Sequence, residues 1–277
     1  MAKIIIEAGR AEKNYWRDLF RYRELFAILA WRDVSVRYKQ MAIGVVWAVL
    51  QPFLTMVIMT VVFGRLAGFP SEGAAPYAIM VFAAQLPWQF FSSALSSSSQ
   101  SMVGNASLIT KVYFPRVIIP ASAVVVALVD FLVSFAILIL LMAYYFFMPN
   151  WRMLSLPVFV LIAFLAALGP GLLLTALNVR YRDFRYIIPF MVQFGVYVSP
   201  VGFSSTLVHQ KLGDSLFLIY SLNPMVGVID GFRWAILGGT TPLYWPSLLI
   251  SICVTVAFLF LGVWVFRKTE KGFVDII

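Results

Sequence analysis

Several uninterrupted apolar runs, each about twenty residues long, decide most of what this chain can become. A helix rises about 1.5 Å per residue, so such a run matches the roughly 30 Å hydrocarbon layer of a bilayer. In lipid the backbone must satisfy its own hydrogen bonds, which leaves helices and closed barrels, and runs this continuous are too long for barrel strands. Composition agrees: 62% of the 277 residues are hydrophobic and 12% are charged, about half the charge of a soluble domain. The expected class is an all-α integral membrane protein.

Taken in order, the expected spans cover about 43–66, 77–100, 119–147, 154–177, 187–202 and 245–266. The first run is too long for the core of a signal peptide and is expected to remain a span. The chain divides into an N-terminal region, 1–40, and a six-span membrane domain, 41–277. Residues 1–14 are of mixed character. Over Tyr15–Lys39, helical spacing places Trp16, Leu19, Phe20, Phe26, Ala27, Ala30, Trp31, Val34 and Tyr38 on one stripe. Arg17, Arg21, Glu24, Arg32 and Lys39 lie mostly opposite, while Arg23 and Arg37 intrude on the apolar face. This pattern fits an amphipathic helix lying in the headgroup plane; the charges alone also fit a simple positive-inside anchor.

Three features interrupt the spans. Seven serines fall between Ser92 and Ser101, and the apolar stretch from Tyr77 to Phe91 is too short to cross alone. Part of the serine run is therefore expected inside the membrane, against protein or water. Gly169, Pro170 and Gly171 should kink the fourth span. The run from Met225 to Leu237 is short and carries Asp230 and Arg233, which fits a re-entrant or interfacial segment between spans five and six.

Charge placement orients the chain. With six spans, the N-terminal region (nine), the loops 104–118 (two) and 178–186 (three), and the tail (three) share one face, and they hold 17 of the 21 lysines and arginines. That face is expected to be cytoplasmic, with both termini on it. The net charge of +9 is thus a matter of topology, and no nucleic-acid partner is expected.

Chemistry is sparse. No phosphate-binding Gly-rich loop with its Lys-Ser/Thr, no His-Glu-x-x-His, no Cys-x-x-Cys and no Gly-x-Ser-x-Gly pattern occurs, so no bound cofactor, metal or catalytic residue is expected. Cys253 is the only cysteine, and His209 is expected to be solvated in an outward loop. Asp130 sits inside the third span, where an unpaired carboxylate costs about 2.5–3.5 kcal/mol. It therefore faces the bundle, a partner or water, in a structural bond or on a transport path. Trp47, Trp88, Phe90, Phe91 and Tyr197 stand beside polar or proline positions, and with Asp130 they are the candidates to line a conduit. A flat ring can touch the CH face of a passing sugar without fixing its hydroxyls.

Six motifs then carry a resemblance: RYKQMAIGVVWAVLQP (Arg37–Pro52), LPWQFFSSAL (Leu86–Leu95), NASLITKVYFPRVIIP (Asn105–Pro120), LNVRYRDF (Leu177–Phe184), SP at Ser199–Pro200 and NPM at Asn223–Met225. In that order, from about Leu25 to the tail, the chain resembles the permease subunit of ABC-2 type exporters, in particular those for O-antigen and related lipid-linked polysaccharides. The resemblance implies a half-transporter in the bacterial inner membrane. Two copies form the conduit as a homodimer, and two copies of a separate ATP-binding cassette subunit hold ATP and Mg. It implies that Asn105, Lys111, Tyr113, Phe114, Pro115 and Arg116 belong to a coupling helix that docks on the ATPase. Lys111 and Arg116 would supply charge there, and Tyr113 and Phe114 would fill a groove. Arg180, Arg182, Asp183 and Arg185 would flank a cytoplasmic entrance. The segment 203–240, with Asn223, Pro224, Asp230 and Arg233, would be a periplasmic gate of re-entrant helices. Two other classes stay open: an ion-coupled secondary transporter using Asp130, and a membrane glycosyltransferase, for which acidic clusters are lacking.

Overall fold

The computed structural model describes residues 15–39, 42–239 and 242–273; residues 1–14 and 274–277 of the expected N-terminal region and tail lie outside the described residues. All regular structure among the described residues is helical. Helices α1 (Tyr15–Arg21) and α2 (Arg23–Lys39) precede α3 (Ala42–Met59), which continues as a π-helix over Thr60–Leu66. Then follow α4 (Tyr77–Gly104), α5 (Ala106–Lys111), α6 (Ile118–Tyr144), α7 (Leu156–Arg180), α8 (Phe184–Val198), α9 (Ser205–Tyr220), α10 (Pro224–Ile236) and α11 (Trp245–Thr269). Short 3-10 turns precede α7 and follow α11.

The least apolar long helix is the most enclosed. Within α4, 78% of the apolar window is buried, against 17% for the α3 span and 22% for the α11 span. The serine run explains this. Ser98 and Ser99 are fully buried, and α7 reaches them: Thr175 Oγ1 donates to the Ser98 carbonyl at 2.9 Å and Asn178 Nδ2 to the Ser99 carbonyl at 2.8 Å. Small polar residues let two helices approach closely and bond across the gap. Gly171 completes the fit, since a Cβ there would stand 2.9 Å from Ser98 Oγ. The serine run is thus helix–helix interface inside one continuous helix. On the other side, Gln85 Nε2 donates to the Pro52 carbonyl of α3 at 3.0 Å.

Helix α7 runs unbroken through Gly169, Pro170 and Gly171, and this stretch is where α11 crosses. A Cβ on Gly169 would lie 2.7 Å from the Leu259 backbone nitrogen, and one on Gly262 would collide with the Gly169 carbonyl oxygen. Without a hydrophobic drive between helices in lipid, such backbone-to-backbone packing is what holds a pair together.

The fifth expected span, 187–202, begins and ends earlier, as α8 over Phe184–Val198. Helix α8 has 15 residues, about 22 Å at the helical rise. It ends because Ser199 is forced extended (φ −89°, ψ 149°) by the proline that follows. Among the described residues five helices are long and apolar enough to cross a membrane; α9 and α10, bent by 119° at the break between them, would together make a sixth. Helix α10 is enclosed by α4, α7 and α11. Asn223 caps it, accepting from Met225 N at 3.0 Å, while its Nδ2 donates to Ser199 Oγ at 2.9 Å.

The N-terminal stripe divides between two directions. Leu19, Phe26 and Ala30 turn inward, whereas Trp16, Phe20 and Trp31 stay exposed. The intrusion of Arg37 has a partner: Arg37 Nη1 lies 2.8 Å from Asp130 Oδ2, and Tyr38 O–H donates to Asp130 Oδ1 at 2.6 Å. Leu29 lies in one cluster with Ile118 and Ile119, so α2 is fastened along the first half of α6. Asp130 is thereby a structural clamp between helices.

Two outcomes follow from this packing. Gly262→Leu forces α7 and α11 apart and costs about 1–3 kcal/mol, read as a lower thermal midpoint of the detergent-solubilised protein. Gly272→Ala, with open space around it, leaves that midpoint unchanged. Asp130→Asn and Arg37→Gln each cost about 1–2 kcal/mol, and the double variant costs less than their sum because both remove one interaction.

Candidate functional site

The bundle presents two functional ends. At the first, α1, α2, α5, the start of α6 and the end of α11 meet over an apolar cluster that includes Leu29, Ile109, Phe114, Ile118, Phe266 and Phe273. The short α5 is entered through Asn105, whose Oδ1 accepts from Arg32 Nη2 at 2.8 Å and whose Nδ2 donates to the Ser101 carbonyl at 2.9 Å. After α5 the chain turns extended at Val112. Lys111 is exposed, as are Val112 and Tyr113 at 48% and 44%. Phe114 and Pro115 turn back into the cluster, and Arg116 Nη1 donates to the Glu270 carbonyl.

This corrects the expectation for Phe114. At 4% exposure its ring is part of this chain's own core and is not free to fill a groove elsewhere. Exposure at the tip belongs to Lys111, Val112 and Tyr113. Local sequence could not separate Tyr113 from Phe114, since adjacent residues in an extended segment point opposite ways and only the packing says which way is in.

Arg180, Arg182, Asp183 and Arg185 are all exposed at the turn between α7 and α8, with the Arg180 guanidinium 5.4 Å from the Tyr181 ring centroid. From this basic turn an aromatic row climbs α8. Tyr186, Phe190, Phe194 and Tyr197 are exposed at 80%, 58%, 53% and 61%, and the Phe190 and Phe194 centroids are 4.2 Å apart. Tyr197 was among the sequence candidates; the other three were not. Their spacing of four, which aligns residues on one helix face, was the available signal.

The remaining conduit candidates separate by exposure. Trp47 is 56% exposed and Phe91 is half-buried. Trp88 and Phe90 are corrections: they are core residues at 8% and 2% exposure. Trp88 covers Gly195 of α8, where a Cβ would stand 2.5 Å from its ring, and Phe90 packs edge-on against Phe131 at 5.9 Å. Asp130 is engaged by Arg37 and Tyr38, as described above.

At the opposite end, α10 presents Arg233, which is 1% exposed. Its Nη1 donates to the Phe203 carbonyl at 2.8 Å, its Nη2 to Val201 at 3.1 Å and its Nε to Met80 at 3.4 Å. Glu72 Oε1 lies 3.7 Å from Nη1 and accepts from Ser204 Oγ. A buried guanidinium is tolerable only when its donors are met in this way. Beside it a small, partly open cavity of about 40 Å³ is lined by Glu72, Ser205, Thr206, His209, Asp230 and Tyr244, among others. His209 is less solvated than expected: its ring stacks on Phe217 at 4.7 Å and lies 4.8 Å from Tyr244, and its Nε2 bonds Asp214. Of the expected gate set, Arg233 and Asp230 face one cavity, while Asn223 and Pro224 form the N-terminal cap of α10.

Residues 24–237 match the ABC-2 type transporter family. The O-antigen export system permease protein RfbA of Myxococcus xanthus is 27% identical over 261 residues, covering 94% of this chain and 98% of the relative. RfbA of Klebsiella pneumoniae is 24% identical over 257 residues (92% and 95%). The polysialic acid transport protein KpsM of Escherichia coli is 23% identical over 248 residues (87% and 92%). Because the family match runs from α2 through α10, well over half of the residues, the chain belongs to the ABC-2 type transporter family.

Proposed function

We propose that this chain is the permease subunit of an ATP-driven exporter of lipid-linked polysaccharide, moving an O-antigen-like glycan from cytoplasm to periplasm. It acts as a homodimer in the bacterial inner membrane with two copies of an ATP-binding cassette subunit, which carry the ATP and Mg. The region 1–40 lies on the cytoplasmic face and 41–277 is the membrane domain, with six spans, α9 and α10 forming a re-entrant pair before the last.

One observation carries the reading. The tip formed by Lys111, Val112 and Tyr113 is exposed on a loop whose two ends are pinned to the rest of the fold. A rigid, basic, partly aromatic projection at the most positively charged end is what a cytoplasmic motor needs to grip. The names of the relatives support export of a glycan as the task. The conduit in this reading runs along Trp47, the α8 row of Phe190, Phe194 and Tyr197, and the half-buried Phe91. Arg180, Arg182, Asp183 and Arg185 stand at its cytoplasmic mouth, where arginines suit a phosphate-bearing lipid carrier. Ring faces hold each sugar weakly enough to let it slide. The ion-coupled alternative gains nothing from Asp130, whose two oxygens are already occupied by Arg37 and Tyr38.

The docking role makes a divided forecast. Lys111→Ala with Tyr113→Ala loses about 2 kcal/mol or more of association, seen as loss of ATPase co-purification and of glycan at the cell surface, with the permease itself folded. Phe114→Ala instead lowers thermal stability by about 3–5 kcal/mol and reduces yield. In a Cys253→Ser background, Tyr113→Cys is labelled by an impermeant thiol reagent only from the cytoplasmic side, and Met148→Cys only from outside.

A further inference from the structure

The C-terminal turn takes part in a junction that the exposed tip alone does not explain. Tyr15, 5% exposed at the start of α1, donates its hydroxyl to Glu270 Oε2 at 3.0 Å. The Arg267 guanidinium covers the Tyr15 ring at 4.4 Å from its centroid, and Arg116 bonds the Glu270 carbonyl. Phe273, 1% exposed and 5.4 Å from the Phe266 ring, roots the turn in the core beneath. Burial and the Glu270 carboxylate hold the Tyr15 hydroxyl above the usual phenol range, so it stays a donor at any physiological pH. Tyr15 and Glu270 both lie outside residues 24–237, the stretch matched to the family.

The loop 105–117 is therefore tied at both ends to one brace. Its beginning is held by Arg32 of α2 through Asn105, and its end by Arg116 on the carbonyl of Glu270, whose side chain accepts from Tyr15 of α1. The brace is nearly continuous, because Tyr22 N bonds the Asp18 carbonyl at 2.9 Å and Phe26 N the Tyr22 carbonyl at 3.0 Å across the break between α1 and α2. Its far end grips Asp130 through Arg37 and Tyr38, twelve residues or about 18 Å along α6 from Ile118. A push on the loop loads α6 twice, at its first turn and at mid-length.

We propose that Tyr15 and Glu270 are positioning residues for energy coupling: their bond locks the exposed loop to the N-terminal helices, so that movement imposed at the loop reaches the middle of α6 as one rigid displacement. The link to ATP rests on the transporter reading above; the rigid junction does not. With the bond gone, the partner can still dock on Lys111 and Tyr113 and hydrolyse ATP, but part of each stroke is lost within the loop.

The test uses Tyr15→Phe, which keeps the ring under Arg267, and Glu270→Met, which keeps the length of the side chain and removes the acceptor. The full chain, in a Cys253→Ser background, carries spin labels at Thr110 on α5 and at Arg21 on α1. The distance distribution is narrow in the parent and broadens in both variants; an unchanged distribution in both overturns the junction, whether or not an ATPase is present. In the complex with the co-purifying ATPase, both variants keep ATPase binding and turnover within about twofold while surface glycan per ATP hydrolysed falls about five- to tenfold, and the double variant falls no further, as expected for one shared bond. Unaltered glycan per ATP overturns the coupling role. A parent chain that brings down no ATPase overturns the transporter reading, and the label distances then still decide the junction.

Discussion

The bonds from Thr175 and Asn178 to the Ser98 and Ser99 carbonyls hold α4 at the centre of the bundle, and much else is a consequence of that placement. A helix carrying seven serines has no favourable position against lipid tails. Surrounded by α3, α6, α7 and α10, it is kept from the lipid, bonded from α7 at the Ser98 and Ser99 carbonyls and to α3 through Gln85 Nε2, and the apolar exteriors of α3 and α11 take the lipid. The usual inside-out intuition is thereby reversed: the most polar long helix is the core.

With α4 fixed, the two ends of the bundle are held by different means. At one end Arg233 gathers carbonyls from α4 and from the stretch before α9, so α10 is seated by a single buried guanidinium. At the other end the fastening is distributed. Arg32, Arg116, Tyr15, Glu270 and the Asp130 clamp each make one or two bonds, and none is fully buried in a charged pair. A distributed set of modest contacts can transmit displacement without demanding the desolvation of a buried ion pair.

Between the ends, α8 is set apart. It is shorter than the other spans, it stops at Pro200, and its exposed face is a row of rings rising from a basic turn. Two copies of such a face, placed opposite each other, would make a passage with aromatic walls and a positive mouth. The cavity beside Arg233 lies at the other end of the bundle, among the α9–α10 residues that the same reading assigns to a gate.

The sequence alone determined the helical class and the positions of five long apolar helices, because span length is a local sum over a lipid-sized window. It also located the loop at Asn105–Arg116 and the basic turn at Arg180–Arg185 through the family resemblance. Only the tertiary structure decided which residues in those places are available. Phe114 and Tyr113 are neighbours of similar chemistry, and Phe90 and Phe91 are identical; one of each pair is enclosed by helices that lie dozens to hundreds of positions away. The same holds for Arg37, which reads as an error on an apolar stripe until Asp130 arrives beside it, and for Tyr15, whose partner Glu270 is 255 residues distant. Exposure and pairing are properties of the assembled bundle, and no window of sequence contains both halves of the contact.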